Sequence, residues 1–503
     1  MYDRSARPSP HTTPLARFAT TRRQFSGNAS PNLVAFAEAR CEILSYCMPI
    51  PISMGIADDI VAVLGASGWK QREPTLLIQR LNRPPDENKR FESTYPEVGL
   101  QEVATGLRLD GGRKLVYVAD GHRVKSYTWT SSSGNDDGGD DADNVLPVHT
   151  LDSFRFEHAM ILHNSGAKLM RSGSKGMAIW DIDTLPTHGP DGTRIVGEKI
   201  RGEIDTSRDN DEDIERSRGA PPTQTIAVDV LANITLAEHH PSHSAQILAL
   251  KRDRYDLASI DLETQQIAMR YLGHQAVPNC IALNNVDQDS FVTAASDGGV
   301  RLYDVRQPTP QFAIDHGSEK LYSALYESIG GQPFIIYGCS ISEQIKVWDV
   351  RSRKPMYELA TGNNLVQSLA WDGRRQMLLA ATECCYRDRL GNSYDYRRAK
   401  IGKHGQEWFG GGLSGDSLDT DTEMNEDGDD NSDDDGYSDD DDDDDFEERA
   451  WPKDAWHVET SFGVALDAGD HTLFRYHFKK DANPRIFPEY GQAMPDNDHD
   501  RYW

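Results

Sequence analysis

A repeated pattern of short strands constrains the fold of this chain more than any other feature. The stretch "SDGGVRLYDVRQ" is followed by "SEQIKVWDVRSR", and the aligned residues Tyr303 and Trp348 are 45 positions apart. Each stretch has a turn, an alternating apolar strand and an Asp-x-Arg end. Self-similarity with a period of about 40 residues is typical of solenoids and propellers.

Further units with the same ending support the period. They are "MAIWDID", "LASIDLE", "RVKSYTW" and "LFRYHF", and Ile260 of the second precedes Tyr303 by 43 residues. Between these two residues lie the strand-like runs "NCIALNN" and "SFVTAAS" and the tight turn "DGG", where glycine allows positive φ. A four-stranded unit of this size cannot bury both faces alone, so the pattern predicts radial stacking into a propeller.

The units resemble WD40 repeats. The markers of that family appear here in order as Gly273–His274, Ser296–Gly298 and Tyr303–Asp304. The resemblance implies a hydrogen-bonded brace within the blade, formed by His274, Asp297, Tyr303 and the hydroxyl of Thr293 or Ser296.

Other units depart from the pattern. Ser174 and Ser342 stand where the turn aspartate is expected, and Ile260 replaces the aromatic residue of its unit. We therefore expect these blades to lack the full brace.

The fold class we predict is all-β, a seven-bladed WD40 propeller closed by N-terminal strands that complete a blade begun at the C-terminus. The strand-like runs between Asp59 and Leu81 fit no complete unit. The predicted boundaries are a disordered basic tail (1–53), propeller blades (54–385, with a loop insertion at 186–224), a disordered acidic insertion (386–452), the last propeller strands (453–485) and a C-terminal tail (486–503).

An acidic block, residues 416–448, carries most of the net charge of −28. It contains 20 acidic residues and neither Lys nor Arg. The block is either a polyanion that binds basic proteins such as histones or ribosomal proteins, or a solvated spacer. Ser432 and Ser438 have acidic residues three positions on, so we expect them to be phosphorylation sites. The block argues against direct nucleic-acid binding, because it repels phosphates.

Compartment signals are weak. Residues 1–32 contain five Arg residues and one acid, a composition that overlaps mitochondrial transit peptides, but a plain basic tail is the simpler interpretation. The six cysteines form no C-x-x-C pair, which indicates free thiols in a reducing compartment. We expect a cytoplasmic or nuclear protein with no membrane span.

We find no catalytic motif in the sequence: G-x-S-x-G, a phosphate loop and H-E-x-x-H are all missing. The run "HHPSH" (His239–His243) has the position of a polar loop before a strand. We predict a non-enzymatic protein with no cofactor, no metal and no small-molecule substrate.

Two arginines suggest a sharper hypothesis. Arg306 and Arg351 end the "YDVR" and "WDVR" runs of consecutive units. The pair resembles the double WDxR box with which substrate receptors dock on the adaptor of cullin-4 ubiquitin ligases. The resemblance implies an adaptor-binding set of Tyr303, Asp304, Arg306, Trp348, Asp349 and Arg351. The alternative is that each Arg only pairs with its neighbouring Asp, in a general protein-interaction scaffold.

Overall fold

The computed structural model describes residues 13–19, 28–81, 93–129, 145–208, 211–400 and 450–483. Within these ranges almost all regular structure is β-strand. The strands form seven antiparallel sheets built on four strands each, and these sheets are the blades of a propeller. The predicted all-β, seven-bladed fold is confirmed.

The elements follow in chain order. The N-terminal elements are β1 (Ala16–Phe18), α1 (Pro31–Ala37) and β2 (Cys41–Cys47). Blade 1 contains β3 (Ile50–Ala57), β4 (Ile60–Ser67), β5 (Glu73–Arg80) and β6 (Ser93–Thr94). Blade 2 contains β7 (Gly106–Asp110), β8 (Leu115–Ala119), β9 (Arg123–Thr128) and β10 (Leu146–Asp152). Blade 3 contains β11 (Met160–His163), β12 (Lys168–Gly173), β13 (Gly176–Asp181) and β14 (Gln224–Ile226).

The second half repeats the plan. Blade 4 contains β15 (Ile234–His239), β16 (Gln246–Lys251), β17 (Leu257–Asp261) and β18 (Gln266–Tyr271). Blade 5 contains β19 (Pro278–Leu283), β20 (Ser290–Ala295), β21 (Gly299–Asp304) and β22 (Phe312–Asp315). Blade 6 contains β23 (Ala324–Ile329), β24 (Gln332–Gly338), β25 (Gln344–Asp349) and β26 (Lys354–Ala360). The remaining strands are β27 (Leu365–Asp372), β28 (Met377–Glu383), β29 (Tyr396–Arg398), β30 (Ala450–Pro452) and β31 (Thr472–Phe478).

The core lies between neighbouring blades because each strand alternates its side chains between two sheet faces. Val300 and Leu302 pack in one cluster with Tyr337 of blade 6. Tyr303, on the opposite face of the same strand, packs with Tyr271 of blade 4. Each blade therefore buries both faces against its neighbours.

The ring is closed by an N-terminal strand, as predicted. Blade 7 has the order β2-β31-β28-β27, and Cys41 at one end of β2 pairs with Phe478. The first strands of successive blades contact one another around the whole ring, including β27 of blade 7 with β3 of blade 1. Closure leaves no innermost strand without a neighbour.

A short helix reinforces the join between blades 6 and 7. Ser30 caps α1 by accepting a hydrogen bond from the Leu33 N–H at 3.2 Å. The helix buries Phe36 completely, and this ring contacts four aromatic side chains, Phe334, Tyr357, Trp371 and Phe478.

The extra strand β1 extends blade 6 at its outer edge by pairing with β26. It carries Arg17, whose Nε donates to Glu358 at 2.6 Å, while Lys346 lies 3.1 Å from the same carboxylate. All three side chains are at most 3% exposed. One buried carboxylate thus pairs with two buried cations.

The expectation of a disordered tail at 1–53 is wrong for the described part of that segment, which contains β1, α1, β2 and the start of β3. Its apolar residues and Arg17 find partners more than 300 positions away in sequence. The runs between Asp59 and Leu81 also belong to a complete blade, blade 1.

The boundaries near the C-terminus also differ from prediction. Residues 386–400 and 450–452, assigned to a disordered insertion, include the two-stranded hairpin β29–β30. Between 453 and 483 only β31 is a propeller strand. The insertion at 186–224 covers the outer edge of blade 2, where Ala220 bridges Leu151. Residues 131–144, expected to form a surface loop, and 486–503 lie outside the described residues.

The antiparallel blades give the propeller two distinct faces. Turns between the first and second strands, and between the third and fourth, lie on one face, which we call the arginine face; it includes 305–311 and 350–353. Turns between the second and third strands, and the connections between blades, lie on the opposite face. We call this the insert face; it includes 339–343, 384–400 and 450–471.

No helix among the described residues is long and apolar enough to cross a membrane. None of the six cysteines, all of which are among the described residues, forms a disulfide.

Replacing Glu358 with Gln tests the buried charge cluster. The change removes the negative charge that contacts both Arg17 and Lys346 in the protein interior, so we expect the free energy of unfolding to fall by about 3–5 kcal/mol. Urea unfolding measures this, and Glu263→Gln, at an exposed acid of blade 4, should have little effect. Equal effects of both variants would show that the cluster does not stabilise the fold.

Candidate functional site

The brace of blade 5 is built around His274. Its Nε2 lies 2.9 Å from the Thr293 hydroxyl, and its ring stacks on Tyr303 at a centroid distance of 5.6 Å. The Tyr303 hydroxyl donates to the Leu272 carbonyl at 2.8 Å and lies 3.4 Å from His274 Nδ1. Burial lowers the pKa of His274 to about 4, so the imidazole is neutral at pH 7.

Asp297 reaches the same loop through the backbone. It accepts hydrogen bonds from the N–H groups of Gln275 at 2.7 Å and Gly299 at 2.9 Å, and it pairs with Arg301 at 2.8 Å. Ser296 instead accepts from the Asn279 amide, so Thr293 is the hydroxyl that contacts His274. Sequence reasoning missed Arg301, although a cation four residues after a turn aspartate was an available signal.

The turn between β20 and β21 requires its glycine. Gly298 has φ +76°, and an added Cβ would lie 1.7 Å from the Gly317 carbonyl oxygen. This matches the positive φ predicted for the "DGG" turn.

Blade 6 replaces the missing turn aspartate with an acid from another loop. Glu319, in the connection from blade 5, accepts from the N–H groups of Ile341 at 2.6 Å and Ser342 at 2.7 Å. It also binds the Ser342 hydroxyl at 3.0 Å and lies 3.1 Å from His316 Nε2. Blade 6 thus lacks the full brace of the family, as expected, but Glu319 joins the same two loops from the opposite side.

His316, Glu319 and Cys339 place their donor atoms within 4.8 Å of one another, a grouping that could hold a metal ion. The Glu319 oxygens are already occupied by hydrogen bonds from the turn. Burial raises the pKa of the Cys339 thiol, which keeps it protonated and a poor metal ligand. We interpret the group as a structural brace.

The two other units that depart from the repeat pattern belong to blades 3 and 4, and their residues at the aromatic position make different contacts. Trp180 of blade 3 donates from Nε1 to the Ala220 carbonyl at 3.1 Å, so the covering insertion supplies its partner. Ile260 of blade 4 is 1% exposed and packs in an apolar cluster.

The two arginines have nearly identical geometry. In blade 5, the backbone N–H and Nε of Arg306 donate to Asp304 Oδ1 at 2.9 and 2.8 Å, and Nη2 donates to Oδ2 at 2.6 Å. In blade 6, Arg351 makes the same bonds to Asp349 at 2.9, 3.1 and 3.0 Å. The pairing with Arg306 lowers the pKa of Asp304 to about 2.

These arginines remain exposed despite their ion pairs. The side chain of Arg306 is 68% exposed and that of Arg351 is 37% exposed, whereas the two aspartates are 6% and 0% exposed. Both arginines follow the third strand of their blade, in consecutive blades, so both lie on the arginine face. Each aspartate fixes the direction of its neighbouring guanidinium.

The aromatic members of the candidate set are less accessible. Tyr303 is fully buried, and Trp348 is partly buried against the cluster between blades 5 and 6. The set therefore divides into two exposed cations, two buried carboxylates that orient them, and two rings that belong to the blade interior.

On the insert face, the residues on either side of the acidic insertion form an ordered base. The hairpin β29–β30 pairs Arg397 with Trp451, and Arg397 also binds Glu459 at 2.6 Å. Glu343 of blade 6 accepts from the Tyr386 hydroxyl at 2.7 Å and from the Trp456 N–H at 3.3 Å.

A second buried acid lies in this base. Asp467, 2% exposed, accepts from the Asn363 amide at 2.8 Å. Burial raises the pKa of Asp467 to about 8 and that of Glu343 to about 7. The acidic block 416–448, with Ser432 and Ser438, lies outside the described residues.

These observations define the class of the protein, a closed seven-bladed β-propeller with a hydrogen-bonded brace between its loops. Blade 5 carries Gly273–His274 and Asp297–Gly298, and the third strands of blades 3 and 6 end in Trp-Asp, so these blades are similar to WD40 repeats.

Comparisons with known proteins add little beyond the fold. No protein-family model matches the chain, and no curated protein matches it. Among solved structures, the chain is similar to the WD40 β-propeller domain of Doa1. That match has 11% identity, covers 68% of this chain and 93% of the other, and has a TM-score of 0.44.

The brace of blade 6 predicts a specific loss of stability. Glu319→Ala removes the acceptor for two backbone N–H groups and a hydroxyl, so we expect the free energy of unfolding to fall by about 1–3 kcal/mol. Asp315→Ala, at an exposed acid four residues earlier, is the matched control and should change stability much less. Chemical denaturation measures both, and an unaffected Glu319→Ala variant would exclude the brace.

Proposed function

We propose that this protein is a non-catalytic interaction scaffold that docks an acidic protein surface on its arginine face through Arg306 and Arg351. WD40 propellers are generally protein-interaction scaffolds, and the present chain has that fold. The observation that supports this docking mode is the repeated, exposed and oriented guanidinium in adjacent blades.

The geometry favours binding for a physical reason. A free arginine side chain loses conformational entropy when a partner immobilises it, and prior orientation reduces that cost. Here Nε and Nη2 of each arginine are held by the adjacent aspartate. The planar guanidinium suits bidentate pairing with a carboxylate on a partner surface.

The partner that best fits the pattern is the adaptor of a cullin-4 ubiquitin ligase, so the chain would act as a substrate receptor. The support is the resemblance of the two Asp-x-Arg ends to the double WDxR box. Tyr303 replaces the Trp of the first box, but it is fully buried. The replacement therefore leaves the exposed part of the box, Arg306, unchanged.

The docking proposal predicts a clear effect of removing both charges. Arg306→Ala combined with Arg351→Ala should reduce capture of the adaptor about tenfold or more, because interface arginines often dominate binding. Affinity purification with quantitative mass spectrometry measures it.

The matched control is Arg353→Ala with Arg374→Ala. It removes the same charge from exposed residues of the same face. If both double variants lose the adaptor equally, the loss comes from the lower positive charge of the face and not from Arg306 and Arg351 in particular. If wild type captures neither adaptor nor cullin-4, the ligase assignment is wrong.

A second candidate function involves the insert face. The hairpin β29–β30 holds both ends of the segment that contains the acidic block, on the face opposite Arg306 and Arg351. We propose that the block binds basic proteins such as histones or ribosomal proteins. Phosphorylation of Ser432 and Ser438 would add about 1.5–2 negative charges each.

Deleting 416–448 tests this second function. Capture of basic proteins should be lost, and capture by wild type should weaken steeply with salt because exposed charges are screened. Retained capture after the deletion would assign binding to another surface. Because the two faces are opposite, adaptor capture should be unaffected.

A further inference from the structure

The exposed apolar side chains of this protein are strongly biased toward one face. Of the fourteen large apolar side chains that are exposed among the described residues, eleven lie in turns or connections of the insert face. They are Trp69, Tyr95, Phe154, Tyr255, Leu272, Val277, Ile341, Leu390, Tyr394, Trp456 and Val458. Of the other three, Val286 lies in a turn of the arginine face, Ile195 in the long insertion between β13 and β14, and Ile267 in strand β18. Concentrated apolar exposure of this kind marks interaction surfaces.

Five of the eleven belong to the base of the acidic insertion, and we call them the root patch: Ile341, Leu390, Tyr394, Trp456 and Val458. Their exposed fractions are between 43% and 64%. Trp456 and Val458 are the most favourable anchors, since an indole ring and a branched aliphatic chain both bury apolar area without a large entropy cost.

Hydrogen bonds join the segments that carry the root patch. His457 Nε2 lies 2.7 Å from the Ser342 carbonyl oxygen, which places the neighbours of His457 beside Ile341. Tyr394 is bonded to the chain at 385–386 through its hydroxyl at 2.6 Å and its N–H at 3.0 Å. The patch is therefore presented by a bonded base and not by independent loops.

The acidic block and the root patch are adjacent along the chain. The block ends at Glu448, two residues before β30, and Trp456 follows eight residues after Glu448. For a partner bound at the patch, this short separation in sequence raises the effective concentration of the acidic residues. The partner chemistry that suits both features is a basic segment with apolar side chains.

We propose that the root patch is the docking surface for a lysine- and arginine-rich protein segment that carries apolar anchors. This rests on the second proposed function, in which the acidic block attracts basic proteins. The block supplies attraction and association rate, and the patch selects partners whose basic residues are interspersed with apolar ones.

Two fluorescent peptides test this inference on the full chain. One is lysine-rich with interspersed leucines, and in the other serine replaces each leucine. We expect wild type to bind the leucine peptide about tenfold more tightly than the serine peptide, as measured by fluorescence anisotropy. This preference should persist at high salt, because salt screens charges but does not weaken the burial of apolar surface.

Trp456→Ser with Val458→Ser should remove the preference, so that both peptides bind with the affinity of the serine peptide. Val286→Ser, which removes an apolar side chain on the arginine face, is the control and should change nothing. A separate Ile341→Ser variant changes the patch in a different segment of the chain, so local misfolding around Trp456 cannot explain its effect. This variant should weaken the preference in part.

The outcomes separate the two proposals. Equal binding of both peptides by wild type, or an unchanged preference in the Trp456/Val458 variant, would overturn the docking surface. If deleting 416–448 leaves the affinity for both peptides intact, the acidic-block function fails. A leucine preference that still depends on Trp456 would then support the patch alone.

Discussion

Closure of the ring by β2 is the constraint on which the rest of the structure depends. This strand comes from the N-terminal part of the chain, yet it forms the outer strand of the last blade, in register with β31 along its whole length. Phe36, just before it, sits among rings of blades 6 and 7. Because the blades bury their faces only against each other, a ring that opened here would expose apolar surface on two blades. The rigidity of both faces follows from this closure.

A closed ring with antiparallel blades separates two surfaces of different chemistry. One carries Arg306 and Arg351, each oriented by a buried aspartate. The other carries most of the exposed apolar side chains and the base of the acidic insertion. A scaffold of this kind can hold two partners at once without steric conflict, which is what a receptor that brings a basic protein to a ligase adaptor would require.

Local patterns in the sequence were sufficient to predict the repeated blades, the glycine turn at Gly298 and the residues around His274, because these depend on contacts within one repeat. Blade 1 was not predicted as a unit, since its strands carry none of the repeat markers. Interactions between distant segments were not predictable in the same way. In the sequence, Arg17 is one of several arginines in a basic segment and has no distinguishing feature. Only the fold places it beside Glu358. Glu319 was missed because the brace acid moved from the turn to the preceding connection. The root patch was also missed, since exposed Trp456 and Val458 look like core residues until the topology places them on a face.

The separation of the two faces is the central claim, and hydrogen–deuterium exchange on the full chain tests it most directly. Exchange would be followed by mass spectrometry with and without the lysine-rich, leucine-containing peptide. The account predicts added protection in 339–343 and 450–458 of the insert face, and unchanged exchange in 305–311 and 350–353 of the arginine face. Protection of the arginine face, or none at the base of the insertion, would contradict it.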